Sequence, residues 1–230
     1  MLRDIVKPAI ILFLICLITA MLLALTYNFT KDTIAQRAVS DMEAAKQEVF
    51  PDANEFREIE NIEELIAGNT WMEPVKAAFE CYEGDDMKGY VYSIKVAGYG
   101  GEITMTVGIS LDGTIRGVKI GENSETPGLG KKVEDPKFSS QFAGKNPGEL
   151  ALTVVKTGST KVEEIDGISG ATVSSKAVVR GVQAALNMTK ELQGEEVDDT
   201  SGATTWTEIL IKNRNAFFHS IIIPEMGGNN

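Results

Sequence analysis

The segment DGISGATVSS at residues 166–175 sets a hydroxyl, that of Thr172, directly after two tiny residues, Gly170 and Ala171, where a helical pattern begins. The N–H groups of a first helical turn lack partners within the helix, and the helix dipole favours negative charge there. Such a start is a ready site for a phosphate, held or covalently attached at Thr172. The competing reading is an ordinary capped helix, because Ser and Thr are common N-caps in any protein. Two more glycine-rich segments lie upstream: GYGG at 98–101, entering a strand, and ETPGLG at 125–130. Taken alone, ETPGLG reads as a simple Pro-Gly turn.

Composition removes several kinds of chemistry. The chain has 230 residues and a formal net charge of −11, a balance that would repel nucleic-acid phosphates. Its two cysteines, Cys16 and Cys81, are far apart, and Cys16 lies in an apolar run, so no disulfide framework is expected. With these and the single His219, the side chains for an iron–sulfur cluster, a structural zinc site or a Ser-His-Asp triad are missing. Any redox chemistry must then be carried by an organic cofactor.

Residues 8–29 contain no charge and match the ~20 apolar residues needed to cross a bilayer as a helix. A cleavable signal peptide is the alternative, but the run exceeds the roughly 7–15 residues of a signal core. A retained anchor is expected. Arg3 and Lys7 precede it, which keeps the N-terminus cytoplasmic and sends the remainder outward. Residues 31–50 have apolar positions at Ile34, Ala38, Met42, Ala45 and Val49, a helical spacing that Pro51 should stop. A second helix is predicted over 60–67, ending at Gly68-Asn69.

Strand patterns cover 89–96, 103–109 and 114–120, the last two joined by Asp112-Gly113, a strong hairpin signal. A short helix is predicted around 131–142, a further strand over 150–155, and a helix over 174–192 with Val178, Val182, Ala185 and Leu186 on one face. An acidic linker follows, then a second SGAT at 201–204, a terminal helix able to lie on the domain, a partner or the membrane, and the tail PEMGGNN, which reads as disordered. The fold class predicted is α+β: one N-terminal transmembrane helix, then an extracytoplasmic domain with a small antiparallel sheet flanked by helices.

GYGG, ETPGLG and DGISGATVSS in this order and spacing, behind an N-terminal anchor, resemble RnfG, the G subunit of the Rnf-type ferredoxin:NAD⁺ oxidoreductase, a membrane complex related to the sodium-pumping NADH:quinone reductase. The likeness covers most of residues 8–192. It implies FMN, attached by a phosphoester bond to Thr172 by a dedicated flavin transferase that uses FAD as donor. It implies further cofactor-binding positions at Ser169, Gly170, Ala171, Val173 and Ser174, and at Glu125, Thr126, Leu129 and Gly130, with the Glu125, Thr126 and Leu129 side chains near the flavin ring. Asp166 then helps the transferase hold a metal or activate the hydroxyl, or is merely a solvated turn residue. Covalency suits a compartment with no free FMN pool, where a reversible site would empty by mass action.

The resemblance divides the chain into an anchor (1–30), a helical stalk (31–68), an FMN-binding domain (69–193) and an acidic linker with a C-terminal helix and tail (194–230). It implies an electron-transfer subunit, not catalytic alone, in a bacterial inner-membrane complex coupling ferredoxin/NAD⁺ electron flow to Na⁺ or H⁺ movement. The implied partners are the other subunits, the membrane and the flavin transferase. Two alternatives stay open: a component like NqrC, the corresponding flavin subunit of the quinone reductase, and a non-redox membrane-tethered scaffold or sensor whose SGAT is only a helix cap. The duplicate SGAT keeps Thr204 as a second candidate, since Asp198 precedes it as Asp166 precedes Thr172. Thr204 follows an acidic linker and precedes bulky Trp206, and Thr205 with Glu208 fits a capping box. Thr172 is therefore the expected site.

Overall fold

A computed structural model of the chain describes residues 2–60, 62, 66 and 71–194. It divides into two compact units, Met1–Ala45 and Lys46–Asn230. Helix α1 spans Leu2–Val49. It stops just before Pro51, because a proline disfavours helical geometry in the residue ahead of it and supplies no N–H of its own. Among the described residues, α1 is the one helix long and apolar enough to cross a membrane. Two hydroxyls in its apolar run are turned back on the backbone: Thr19 Oγ1 donates to the Ile15 carbonyl at 3.0 Å and Thr26 Oγ1 to the Leu22 carbonyl at 2.9 Å. Lipid offers such groups no partner, so this local pairing is what makes them tolerable there.

The second unit is built on a five-stranded antiparallel sheet, β1 (Glu55–Glu58), β2 (Val75–Glu83), β3 (Asp86–Ala97), β4 (Glu102–Ser110) and β5 (Ile115–Asn123), each strand beside the next in sequence. The Asp112-Gly113 hairpin is present. Gly113 has φ +80°, its N–H donates to the Ser110 carbonyl at 2.9 Å, and Asp112 Oδ1 accepts the Thr114 N–H at 3.0 Å. Strands β1 and β2 are absent from the sequence reading. Within the stalk expected over 31–68, α1 ends at Val49, and residues 55–58 are a strand paired with β2. Of the helix predicted over 60–67, Ile62 and Ile66 are helical and 61, 63–65 and 67 lie outside the described residues.

After β5 come a 3₁₀ turn (Gly130–Glu134), α2 (Pro136–Ser139), β6 (Thr153–Val155), β7 (Glu164–Asp166) and α3 (Thr172–Leu192). The single helix predicted over 131–142 is thus broken in two. Asp135, ahead of Pro136, is extended with ψ 133°, as the proline requires. The strand predicted over 150–155 shortens to three residues and pairs in parallel with β7, outside the main sheet. The acidic linker, the second SGAT with Thr204 and the C-terminal segment lie outside the described residues.

Helix α3 packs on one face of the sheet. Val178, Val182, Ala185 and Leu186 are buried as their spacing predicts, each large aliphatic side chain contributing about 1.5–3 kcal/mol. Gly181 lets the helix approach closely, since a Cβ there would meet Met105 Sδ at 3.0 Å and Ile94 Cγ2 at 3.2 Å. A buried bond of 2.7 Å ties the Tyr92 hydroxyl to Thr189 Oγ1 at the far end. On the opposite face, Val49 and Phe50 from the end of α1 cluster with Ala53, Cys81 and Val91. Gly108 and Gly117, paired across β4 and β5, leave the room that Val49 occupies. Burial pushes the Cys81 thiol up to about 12, so it stays protonated and unreactive.

Candidate functional site

All three glycine-rich segments meet at one end of the sheet, where β3 turns into β4, β5 ends and α3 starts. Their meeting point is a single carboxylate. Glu125 is 2% exposed. Its Oε1 accepts the N–H groups of Tyr99 at 2.7 Å and Gly100 at 3.1 Å, and its Oε2 accepts the Ser174 hydroxyl at 2.7 Å. One side chain from ETPGLG therefore binds GYGG on one side and the first turn of α3 on the other.

The glycines follow from this arrangement. A Cβ on Gly98 would overlap Glu125 Oε1, and a Cβ on Gly130 would overlap Oε2 and lie 2.9 Å from Ser174 Oγ. Only hydrogen fits at either place. Gly128 is different: nothing surrounds it, but its φ of +76° follows Pro127 in a turn closed by the Leu129 N–H on the Thr126 carbonyl at 3.2 Å. Proline second and a positive-φ glycine third is the residue pattern of a type II turn.

Burial raises the Glu125 pKa, but the hydrogen bonds from Ser174 and from the Gly100 and Tyr99 N–H groups outweigh it, and the carboxyl is held below the usual glutamate range. A depressed folded-state pKa contributes stability that is present above the unfolded value, about 4.3, and is lost as pH falls through the folded one. The slope of the melting temperature against pH, taken between about pH 5 and pH 3, should be shallower in Glu125→Gln than in wild type. Equal slopes would mean that folding leaves the affinity of this carboxyl for its proton unchanged.

The SGAT segment makes a second tight turn. The Ala171 N–H donates to the Ile168 carbonyl at 3.0 Å, with exposed Ser169 and Gly170 between them and Gly170 at φ +80°. Helix α3 then begins without a conventional cap. Its N-cap residue is Ala171, which has no side-chain oxygen, and no side chain caps the first turn. Thr172 is the first helical residue and is exposed. An ordinary Ser/Thr-capped start is thus not what this sequence forms. Ser175, fully buried, instead braces the turn from below: its hydroxyl donates to the Ala171 carbonyl at 2.9 Å and accepts the Ile168 N–H at 3.0 Å.

Asp166, at the end of β7, has a local structural task. Its Oδ1 accepts the Ser159 N–H at 2.8 Å, while Gln141 bonds both its N–H and its carbonyl. Thr126 is exposed in the turn. Glu125, expected beside a flavin ring, is buried with both oxygens bonded to protein donors. The exposed apolar side chains at this end are Tyr99 (73%), Leu129 (45%) and Val173 (52%), one from each segment. Leu129 also reaches across to SGAT, since a Cβ on Gly170 would lie 3.1 Å from its Cδ2. Tyr99 is the one of the three that residue patterns alone do not assign to the site. An aromatic residue between glycines in a hairpin loop, where packing does not require one, is the signal that could have found it.

Residues 98–187 match the FMN-binding domain family, and residues 1–49 match the RnfG N-terminal region. The G subunit of the Na⁺-translocating ferredoxin:NAD⁺ oxidoreductase complex of Acetobacterium woodii is 36% identical over 195 residues, covering 83% of this chain and 94% of the relative. The G subunit of the ion-translocating oxidoreductase complex of Methanosarcina acetivorans is 32% identical, covering 84% of this chain and 98% of its own length. The crystal structure of Shewanella oneidensis NqrC aligns at 25% identity and a TM-score of 0.42, over 50% of this chain and 61% of that one. On the strength of the two full-length relatives and both family matches, the chain belongs to the RnfG family, the G subunits of ion-translocating ferredoxin:NAD⁺ oxidoreductase complexes.

Proposed function

We propose that this protein is the FMN-carrying electron-transfer subunit of a membrane complex that couples ferredoxin/NAD⁺ electron flow to ion translocation, with the flavin esterified to Thr172. The observation that carries the reading is the start of α3: an exposed hydroxyl on the first residue of an uncapped helix, surrounded by segments bearing Tyr99, Leu129 and Val173. Those residues fit the two halves of the cofactor. Free first-turn N–H groups and the helix dipole suit a phosphodiester, and exposed apolar side chains suit an aromatic ring system. When bound, flavin supplies one- and two-electron chemistry, and the protein fixes its place and surroundings.

Attachment needs only that Thr172 be reachable by a flavin transferase with FAD as donor. Thr172 Oγ attacks the flavin-side phosphorus of FAD, the new Oγ–P bond replaces the pyrophosphate P–O bond, AMP leaves, and the hydroxyl proton passes to a base on the transferase. Gly170 and Ala171 keep bulk away from that oxygen. Asp166, already bonded within the domain, holds the approach to the turn and is not required as the base. In this reading α1 anchors the subunit with its N-terminus in the cytoplasm and the second unit outside, among the other subunits of the complex. The subunit need not bind a substrate of its own.

Purified from its native host, the protein should be yellow and show flavin fluorescence that survives denaturing electrophoresis. A colourless protein with no such signal would favour the scaffold reading. The ring-contact residues make a separate prediction. Tyr99→Ala and Leu129→Ala should keep the covalent flavin but free its ring, raising native flavin fluorescence several-fold and weakening the visible circular dichroism. Spectra indistinguishable from wild type would remove both residues from the site.

A further inference from the structure

We propose that Glu125 is the positioning residue of the flavin site: its buried carboxylate fixes the first turn of α3 against the GYGG hairpin, so that Thr172 stays exposed and the helix start stays uncapped. The inference rests on the assignment of Thr172 and adds a residue that acts through it.

A helix start is ordinarily pinned by its N-cap side chain, which takes up an N–H of the second or third residue. That solution would spend the donors an anionic group needs. Here the pin is moved sideways. Ser174, the third helical residue, gives its side-chain hydroxyl to Glu125 at 2.7 Å, and the N-cap is an alanine. The turn is held with no side chain taking up the backbone donors of the first turn. The same carboxylate takes both hairpin N–H groups, of Tyr99 and Gly100, which sets Tyr99 at the site. Gly98 and Gly130 are the space it occupies.

Burying an ionised carboxylate is costly, and an apolar residue of similar size would stabilise many folds at least as well. A purely structural joint would not need a charge that depends on neutral donors alone. A positioning joint does: each of its three hydrogen bonds reaches a different donor, on the hairpin or on the helix, and together they fix a geometry that packing by itself leaves free.

The test uses the full-length chain, produced with its flavin transferase and purified in detergent, with flavin incorporation followed by intact mass. Glu125→Ala should slow incorporation about tenfold or more, because a small displacement of a reacting group is costly. Glu125→Gln keeps an acceptor for the hairpin N–H groups and a donor toward Ser174 Oγ, and should recover at least half of the wild-type rate. Hydrogen exchange should show lost protection at 99–100, whose N–H groups bond Glu125, and at Ser175, whose N–H closes the first turn on the Ala171 carbonyl, in Glu125→Ala, with the interior of α3 still protected. Ser174→Ala removes one bond of the three and should slow incorporation about threefold or more in a folded protein. Wild-type rates in Glu125→Ala with α3 protected would overturn the proposal. If Glu125→Ala unfolds α3, a wild-type rate in Ser174→Ala overturns it instead. Flavin retained in Thr172→Ala would sink the site assignment; flavin lost there but normal in both positioning variants would sink only the role of Glu125.

Discussion

Thr172→Ala will abolish the covalent flavin, and Thr204→Ala will leave it in place. The first half is all-or-none, since alanine offers no oxygen to carry a phosphorus. It is also clean. Thr172 is exposed, caps nothing and sits at the first position of α3, so its loss should change stability by no more than about 0.5 kcal/mol. A colourless Thr172→Ala protein will therefore be folded and unmodified rather than misfolded. Peptide mass mapping of native material provides the independent check, because the adduct must fall on the peptide containing residue 172. A flavin that survives Thr172→Ala and disappears in Thr204→Ala would move the site to the C-terminal copy of the motif.

Gly130→Ala and Gly98→Ala will each destabilise the second unit by about 2–4 kcal/mol, the sum of overpacking and a broken bond to a buried carboxylate. Both added methyls collide with Glu125, whose displacement would break its bonds to the hairpin and to Ser174. The added methyl at Gly98 would also lie 2.8 Å from Ile103 Cδ1 and 3.0 Å from the Gly101 carbonyl oxygen, and that at Gly130 would lie 2.9 Å from Ser174 Oγ. The melting temperature of the full chain in detergent should fall by roughly 5–15 °C in each. Gly128→Ala is the informative contrast. Nothing lies near it, and its cost is the positive φ alone, on the order of 1 kcal/mol. Equal and small effects at all three glycines would mean that the carboxylate is not the fixed centre of the site.

These two experiments probe separate properties of one arrangement, the hydroxyl proposed to be modified and the joint proposed to present it. Conditions that weaken the joint without unfolding the domain should therefore lower modification before they lower stability. Ring contact, the role proposed for Tyr99 and Leu129, is a third property, exercised only after attachment.

Much of this protein is legible in its residues because the signals are local. An uncharged run long enough for a bilayer, Asp112-Gly113 between β-branched segments, and a stripe of Val178, Val182, Ala185 and Leu186 at helical spacing each specify an element within about a dozen residues. The three motifs identify the family for the same reason. Strand β2 escapes because Ala77, Ala78 and Glu80 are poor strand formers. Its conformation comes from pairing with β3 and from burial of Val75, Ala78 and Cys81, neither of which is written in its own segment. β1 in turn exists as a partner of β2.

The site divides in the same way. Local spacing is enough to pick out most of its residues, since glycines, a proline and a hydroxyl at fixed intervals announce turns and a helix start. What each one does depends on contacts that only the folded domain creates. Glu125 meets Ser174 from 49 positions away and Tyr99 from 26. No local pattern tells a glutamate facing solvent or a ligand from one buried among donors that distant segments supply. The start of α3 divides likewise: Ser174, two residues after Thr172, bonds a carboxylate from another loop, and no side chain of its own helix caps the turn.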